Sequence, residues 1–239
     1  MIPRVSRVRW ERTFRLVRSI YPPIDPFEDI ADPTDRGLVE AAEAKTDPRV
    51  RDELGATRLV PPERRVSGPS AGWAMAPFCH VSRDRPSRFS DGTYGVYYAG
   101  DRVEVALAET VFHFQRFMAA TGEEACTADY RELVGHLDAE LHDLRGSAAF
   151  AAELDMDDYA AGQSLAHALR HHHASDGIVY PSVRYPIGEA VAAFWPDVVG
   201  IPVPGRHLCY RWDGRRADAW LAYGEDHWRP FPDPLEKPA

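Results

Sequence analysis

Three side chains with complementary chemistry follow one another between residues 85 and 118 of this chain. Arg88 lies in a polar turn, Tyr98 follows ten residues later, and Glu109 lies eleven residues further on. An arginine presents a planar fork of donors that matches phosphate oxygens, whereas a preorganised carboxylate stabilises positive charge. The three groups together suit a ligand that is anionic at one end and becomes cationic during a reaction.

The sequence around these residues predicts the elements that hold them. Gly92 and Gly95 bracket a turn, and residues 95–99 then have the aromatic composition of a short strand. Asp101 is the predicted N-cap of a helix. The buried side of that helix is predicted from apolar residues at three- and four-residue intervals: Val103, Leu107, Val111, Phe114 and Met118.

Glu109 lies beside this apolar stripe rather than on it. A glutamate in such a position is commonly solvated, so the helix pattern by itself leaves an ordinary surface role open. The neighbouring Ala106 and Ala108 are small, however, and would let a ligand or another backbone approach the helix closely.

The rest of the chain indicates a mixed α+β domain rather than a doubly wound sheet. Residues 21–35 are rich in proline and are expected to form an extended or turning segment. Helices are predicted at 36–54 and at 159–173, the second capped by Asp157 or Asp158. Further strands are predicted from short aliphatic or aromatic runs at residues 14–17, 73–78, 177–183, 189–196, 209–212 and 219–223.

Composition excludes several classes of protein. A net charge of −9 over 239 residues argues against a nucleic-acid-binding surface. No apolar run reaches the length of a membrane span, and residues 1–20 lack the apolar core of a secretory signal. The three cysteines are scattered, which predicts a reducing, cytoplasmic setting without disulfides. Residues 171–173 are adjacent histidines, a poor metal site and more typical of an exposed helix end, so no metal is expected.

Longer blocks of the sequence resemble the RES-domain family of bacterial toxins from type II toxin–antitoxin modules. The blocks are FRLVRSIYPPIDPFEDIAD, SRFSDGTYGVYYAGDRVEVALAET and SDGIVYPSVRYPIGEAVAAFWP. The resemblance covers residues 12–200 of what is expected to be a single domain over 1–239, with 200–239 as an extension of unknown role. It implies an ADP-ribosyltransferase-like fold in which two small packed β-sheets are flanked by helices.

The resemblance also implies roles for individual residues. Catalytic roles fall on the second arginine of the family, on its glutamate and on its serine: Arg88, Glu109 and Ser182. Substrate-binding roles fall on the leading arginine, on the strand tyrosine with its competing register, and on a weaker alternative serine: Arg15, Tyr98, Tyr97 and Ser164. The chain departs from the family pattern at Ser90, where an asparagine is usual.

Members of this family degrade NAD⁺, several by phosphorolysis to nicotinamide and a phosphorylated ADP-ribose. The resemblance therefore implies NAD⁺ as substrate, inorganic phosphate as co-substrate, and no cofactor. It also implies an Xre-like antitoxin as partner and a homodimer. Two alternatives stay open, namely an enzyme that ADP-ribosylates a protein target and a nucleotide-binding module without turnover.

Overall fold

A computed structural model describes residues 1–20 and 55–232 of the chain. This part of the chain contains seven strands and three α-helices. The strands are β1 (Arg4–Arg18), β2 (Tyr97–Gly100), β3 (Cys126–Asp143), β4 (Gly177–Pro181), β5 (Glu189–Ala193), β6 (Val203–Trp212) and β7 (Ala217–Ala222). The helices are α1 (Ala71–Cys79), α2 (Val103–Thr121) and α3 (Ala160–His172). The proline-rich segment 21–35 and the helix predicted at 36–54 lie outside the described residues.

All seven strands belong to one mixed sheet with the order β1-β2-β5-β4-β3-β6-β7. The long strands β1 and β3 also pair with each other, from Arg4 opposite Asp143 to Arg18 opposite Tyr130. Five strands, β1-β2-β5-β4-β3, therefore close into a ring. The strand β6 pairs with the first half of β3, residues 126–134, and β7 pairs with β6. The strands β3 and β4 are parallel, and the other pairs are antiparallel.

The predicted α+β class is confirmed, but the two expected sheets are hydrogen-bonded into one. The reason is the length of β1 and β3. The strand β1 pairs with both β2 and β3, and β3 pairs with β1, β4 and β6. Between Trp10 and Thr13, β1 carries a bulge relative to β3, and a bulge bends a strand and increases its local twist. Just after it, Phe14 pairs with Gly100, the residue pair that joins β1 to β2.

The strand predicted at 73–78 is wrong, because these residues lie in helix α1. Trp73, Ala74 and Phe78 are buried there. A short apolar run does not distinguish a buried strand from a buried helix. The helix makes a close contact with a residue distant in sequence, since a Cβ at Gly95 would lie 2.1 Å from the carbonyl oxygen of Pro77. Gly95 therefore lets the turn before β2 pack directly on α1.

The helix predicted to carry Glu109 is confirmed as α2, with the predicted stripe buried except at its partly exposed first member. The predicted N-cap is wrong, because α2 begins after Arg102. Asp101 instead accepts a hydrogen bond from the backbone N–H of Glu189, at 2.9 Å, which ties the start of α2 to β5. The helix ends at Thr121, and the following Gly122 has a φ of +67°, typical of a left-handed C-cap.

The remaining predicted elements are found near their expected positions. The run at 177–183 contains β4 and the run at 189–196 contains its antiparallel partner β5. Helix α3 begins after Tyr159, which is its N-cap, so the predicted caps Asp157 and Asp158 are wrong; the Asp158 carboxylate does accept from the N–H of Ala160 at 2.9 Å. The three adjacent histidines are exposed at the end of this helix, as predicted. Among the described helices none is long and apolar enough to cross a bilayer.

Candidate active site

One cleft of about 270 Å³ opens beside the junction of β1 and β2. It brings together four of the predicted site residues: Arg15, Arg88, Tyr98 and Glu109. They come from β1, from the turn before β2, from β2 itself and from α2. Its other lining residues are Phe14, Leu16, Pro86, Ser87, Ala99, Gly100, Val105, Ala106, Thr110, His113, Tyr159, Tyr180 and Ala190.

Glu109 is the carboxylate of this cleft. Its side chain is 28% exposed, because it projects from α2 beside the buried stripe and one turn after the small Ala106. Burial raises the pKa of Glu109, while the positive charges of Arg184 and Arg88 and a hydrogen bond from Ser182 act in the opposite direction. The cleft thus holds a partly desolvated carboxylate next to two guanidinium groups.

Ser182 lies behind Glu109 rather than on the cleft wall. It follows β4 directly, is 1% exposed, and its hydroxyl lies 3.4 Å from Oε1 of Glu109. The Ser182 hydroxyl oxygen also accepts a hydrogen bond from the N–H of Tyr185 at 3.1 Å, and the Ser182 N–H donates to the carbonyl of Gly188 at 2.9 Å. The turn between β4 and β5 therefore fixes this hydroxyl against the carboxylate.

Arg88 is 7% exposed and is held by the segment that precedes α3. Its Nη1 donates to the carbonyl oxygen of Asp155, and its guanidinium carbon lies 4.9 Å from the centre of the Tyr159 ring. Its Nη2 is buried and has no hydrogen-bond partner among residues 1–20 and 55–232. One donor of a cationic group in the cleft wall is thus unused.

The turn that carries Arg88 is closed by its own side chains and by α3. Ser90, at the position where the family pattern has asparagine, donates to the carbonyl of Tyr94 at 2.5 Å and accepts from the N–H of Gly92 at 3.0 Å. From α3, the Gln163 amide donates to the carbonyl of Ser87 at 2.9 Å. A serine is therefore sufficient to close this turn.

Arg15 reaches the cleft from β1. Its Nη1 donates to the carbonyl of Tyr98 at 3.0 Å, and its guanidinium carbon lies 4.8 Å from the centre of the Tyr97 ring. Burial lowers the pKa of Arg15, which remains a cation at neutral pH because an arginine ordinarily titrates far above it. Two guanidinium groups, those of Arg15 and Arg88, therefore line the same cleft.

The two candidate tyrosines point to opposite faces of β2, as neighbours on a strand must. Tyr98 lines the cleft, and its hydroxyl lies 2.8 Å from Ser87 Oγ and accepts from the N–H of Phe89 at 3.0 Å. Tyr97 is 1% exposed and packs in the core. Burial raises the pKa of each phenol to about 12, so both are protonated at neutral pH.

The weaker candidate Ser164 is not in the cleft. It is exposed on α3, because its neighbours Gly162 and Gln163 occupy the face towards the Arg88 turn. A Cβ at Gly162 would lie 2.6 Å from the carbonyl oxygen of Arg88. Of the two serines considered from the sequence, Ser182 is the one that contacts Glu109.

Sequence reasoning missed three residues that shape the site. Arg184, two positions after Ser182, has Nη1 3.7 Å from Oε2 of Glu109. His113 lies four residues after Glu109 on α2, a spacing that places both on one face, and it lines the cleft. Partial desolvation, together with the charges of Arg184, Arg116 and Arg88, lowers the pKa of His113, although the residue remains exposed at the rim of the cleft. For the third, Tyr159, the sequence offers no signal.

A model of the RES domain matches residues 62–213, a range that contains Arg88, Glu109 and Ser182 and begins after Arg15. The uncharacterized protein y4oC of Sinorhizobium fredii (strain NBRC 101917 / NGR234) is 25% identical over 214 residues, 89% of this chain and 87% of that protein. A chain in the crystal structure of the M. tuberculosis MbcT–MbcA toxin–antitoxin complex aligns with this protein over 87% of this chain and 87% of that chain. The identity is 13% and the TM-score is 0.45.

Proposed function

The chain belongs to the RES domain family, and from this premise we propose that it is a toxin that consumes NAD⁺ by transferring ADP-ribose to inorganic phosphate. The observation that carries the proposal is the half-buried carboxylate of Glu109 in the same cleft as the guanidinium groups of Arg15 and Arg88. A cleft with this combination suits a substrate that has a pyrophosphate at one end and develops positive charge at the other.

In this proposal the arginines bind the anionic part of the substrate. Arginine donates two directed hydrogen bonds to phosphate oxygens, and Nη2 of Arg88 lacks a hydrogen-bond partner in the described part of the chain. Because Nη2 is itself buried, the positive charge of the Arg88 guanidinium in the cleft wall, rather than this one donor, would attract a phosphate group. Tyr98, fixed by Ser87 and protonated at neutral pH, bounds the same space as a neutral hydrogen-bonding group.

The bond that breaks joins C1 of the nicotinamide ribose to the pyridinium nitrogen. Its electron pair goes to nicotinamide, and an oxocarbenium-like ribose develops, as in other glycosyl transfers. An oxygen of inorganic phosphate then forms the new bond to C1, which gives ADP-ribose 1″-phosphate. Glu109 stabilises the positive charge at C1, and Ser182 acts through Glu109 by its hydrogen bond to the carboxylate.

Nicotinamide release from NAD⁺ by the purified protein, with and without phosphate, tests this proposal. We expect release that depends on phosphate, with the phosphorylated product identified by mass spectrometry. Glu109→Gln should reduce the rate by about 100-fold or more. Glu104→Gln is the matched control, since Glu104 lies on the same helix outside the lining of the cleft. No nicotinamide release in either condition would overturn the proposal in favour of a binding module.

The same experiment distinguishes the other acceptors. Release without phosphate, with ADP-ribose as product, would indicate water as the acceptor. With NAD⁺ labelled in the ADP-ribose part, label on a polypeptide would indicate protein ADP-ribosylation. Label confined to a small molecule is the outcome that we expect.

The family also supports two proposals about assembly, namely an Xre-like antitoxin that silences the toxin in the cytoplasm, and a homodimer. Because an antitoxin that covers the cleft does not need the chemistry itself, Glu109→Gln should bind it as the wild type does. Co-purification with the product of the neighbouring gene, followed by mass measurement of the complex, tests both proposals.

A further inference from the structure

Arg184 is a buried cation beside the Glu109 carboxylate. It lies in the turn between β4 and β5, its side chain is 5% exposed, and its Nη1 is 3.7 Å from Oε2 of Glu109. It is absent from the lining of the cleft. The carboxylate therefore has the open cleft on one side and a buried guanidinium on another.

The guanidinium of Arg184 is fixed by groups from two other segments. Its central carbon lies 3.5 Å from the centre of the Phe112 ring, and Phe112 is three residues after Glu109 on α2, on the same face of the helix. Its Nη2 is 3.4 Å from both the carbonyl oxygen of Met156 and the hydroxyl of Tyr159. Its position relative to the carboxylate is thus set by packing.

This arrangement is unfavourable for an arginine whose purpose is structural. Nε and Nη1 of Arg184 are buried and donate no hydrogen bond to any of the described residues. A buried guanidinium with unused donors lowers the stability of a fold, and such exceptions require an explanation. The explanation available here is electrostatic, because the nearest carboxylate is the one in the cleft.

We propose that Arg184 is a positioning residue that holds the Glu109 carboxylate charged and oriented towards the cleft without contacting the substrate. The inference rests on the proposed function only in taking Glu109 as the reactive carboxylate. Arg184 acts through Glu109, since it is buried behind the cleft wall and has no direct access to a ligand.

The other groups that face Glu109 support this assignment. Ser182 approaches from the same turn as Arg184, Arg88 from the turn before β2, and Tyr180 from β4. Burial raises the pKa of Glu109, and Arg184 is the largest influence that lowers it, ahead of Arg88 and Ser182. Removal of the Arg184 charge should therefore leave the carboxylate protonated up to a higher pH.

The direct test is the titration of Glu109 in the full chain by carbon NMR of labelled glutamate, with Glu109→Gln to assign the signal. In Arg184→Gln we expect the midpoint to move to higher pH, and in Arg184→Lys, which keeps the charge, to stay nearer the wild type. Arg211→Gln is the matched control, because that arginine pairs with Asp218 in β7. An unchanged midpoint in Arg184→Gln overturns the inference.

Turnover of NAD⁺ gives the second readout. A displaced carboxylate should lower kcat by about 10- to 100-fold while KM changes little, and the acidic limb of the rate profile should move with the titration. If the wild type consumes no NAD⁺ but the midpoint still moves, the proposed function fails and the positioning role stands. If Arg184→Gln does not fold, Phe112→Leu frees the guanidinium from its ring and should move the midpoint in the same direction; no movement there overturns the role.

Discussion

The hydroxyl of Ser182 lies 3.4 Å from Oε1 of Glu109, although the two residues are 73 positions apart in the chain. Ser182 directly follows the strand β4 and Glu109 projects from the helix α2, so the contact exists only because the end of β4 and α2 meet beside the cleft. A buried donor at this place favours the ionised carboxylate and restricts its rotation. The serine is therefore coupled to any chemistry that Glu109 performs.

Ser182→Ala should reduce NAD⁺ turnover and stability together. The carboxylate loses a donor, and the buried N–H of Tyr185 loses its acceptor, an effect of about 1–3 kcal/mol on unfolding. Ser175→Ala is the control, since Ser175 is a buried serine that hydrogen-bonds His142 at 2.8 Å away from the cleft. Both variants should lose stability in denaturant titrations. Equal turnover in the two would contradict a role for Ser182 at Glu109.

Tyr98 and Tyr97 should differ sharply when each is replaced by phenylalanine. Tyr98→Phe removes the hydroxyl that binds Ser87 and Phe89 on either side of Arg88, so the turn loosens and KM for NAD⁺ rises. Tyr97→Phe keeps the aromatic ring beneath Arg15 and should change kcat/KM by no more than about 2-fold. Steady-state kinetics of both variants test which tyrosine has the substrate-binding role. A larger effect from Tyr97→Phe would show that Tyr97, and not Tyr98, has that role.

Much of the scaffold of the site could be predicted from local pattern. The apolar stripe of α2 fixed which side of the helix is buried, and this left Glu109 free to face the cleft. The aliphatic runs after residue 177 and after residue 189 predicted the β4–β5 pair correctly. Such signals are strong because periodicity reports directly which face of an element is buried.

The contributions that depend on distant contacts could not be predicted in this way. Residues 73–78 form a buried helix against which the turn at Gly95 packs, and no local pattern reports this contact. Arg184 was part of a recognised block, yet its role depends on the turn after β4 meeting Phe112 of α2. Tyr159 enters the cleft from a segment without any repeating pattern.

Arg206 and the buried carboxylate of Glu132 form an ion pair away from the cleft. This pair should contribute to stability rather than to activity. Glu132 is 2% exposed, and Arg206 donates to it at 2.7 and 3.0 Å. Because the Arg206 side chain is 41% exposed, water can partly replace it, and Arg206→Ala should lower the free energy of unfolding by about 1–3 kcal/mol. NAD⁺ turnover measured well below the melting temperature should be unchanged.

The pH dependence of that loss follows from Glu132. Burial alone would raise its pKa, but the hydrogen bonds and charge of Arg206 hold the pKa below the usual value. A carboxylate of this kind stabilises the fold above its unfolded pKa, and the contribution disappears as pH falls through the folded pKa. The difference between wild type and Arg206→Ala in urea denaturation should therefore be largest at neutral pH. A difference that grows towards acid would contradict the pairing.

Glu109 should show the opposite behaviour, because its pKa is raised in the folded protein. A raised pKa means that the protonated form suits the fold better than the charged form. Stability from protonation is fully present below the unfolded pKa and is lost as pH rises through the folded pKa. Glutamine mimics the protonated acid, so Glu109→Gln should melt no lower than the wild type at neutral pH.

The melting temperatures of wild type, Glu109→Gln and Glu104→Gln between about pH 4 and about pH 8 test this sign. The advantage of Glu109→Gln should shrink towards acid, where the wild-type carboxyl becomes protonated, whereas Glu104→Gln should show no such trend. Such an advantage would mean that the cleft keeps a charged carboxylate at the expense of stability, as sites built for catalysis do. A Glu109→Gln protein that melts below the wild type at neutral pH would instead identify the carboxylate as a structural partner of Arg184 and Arg88.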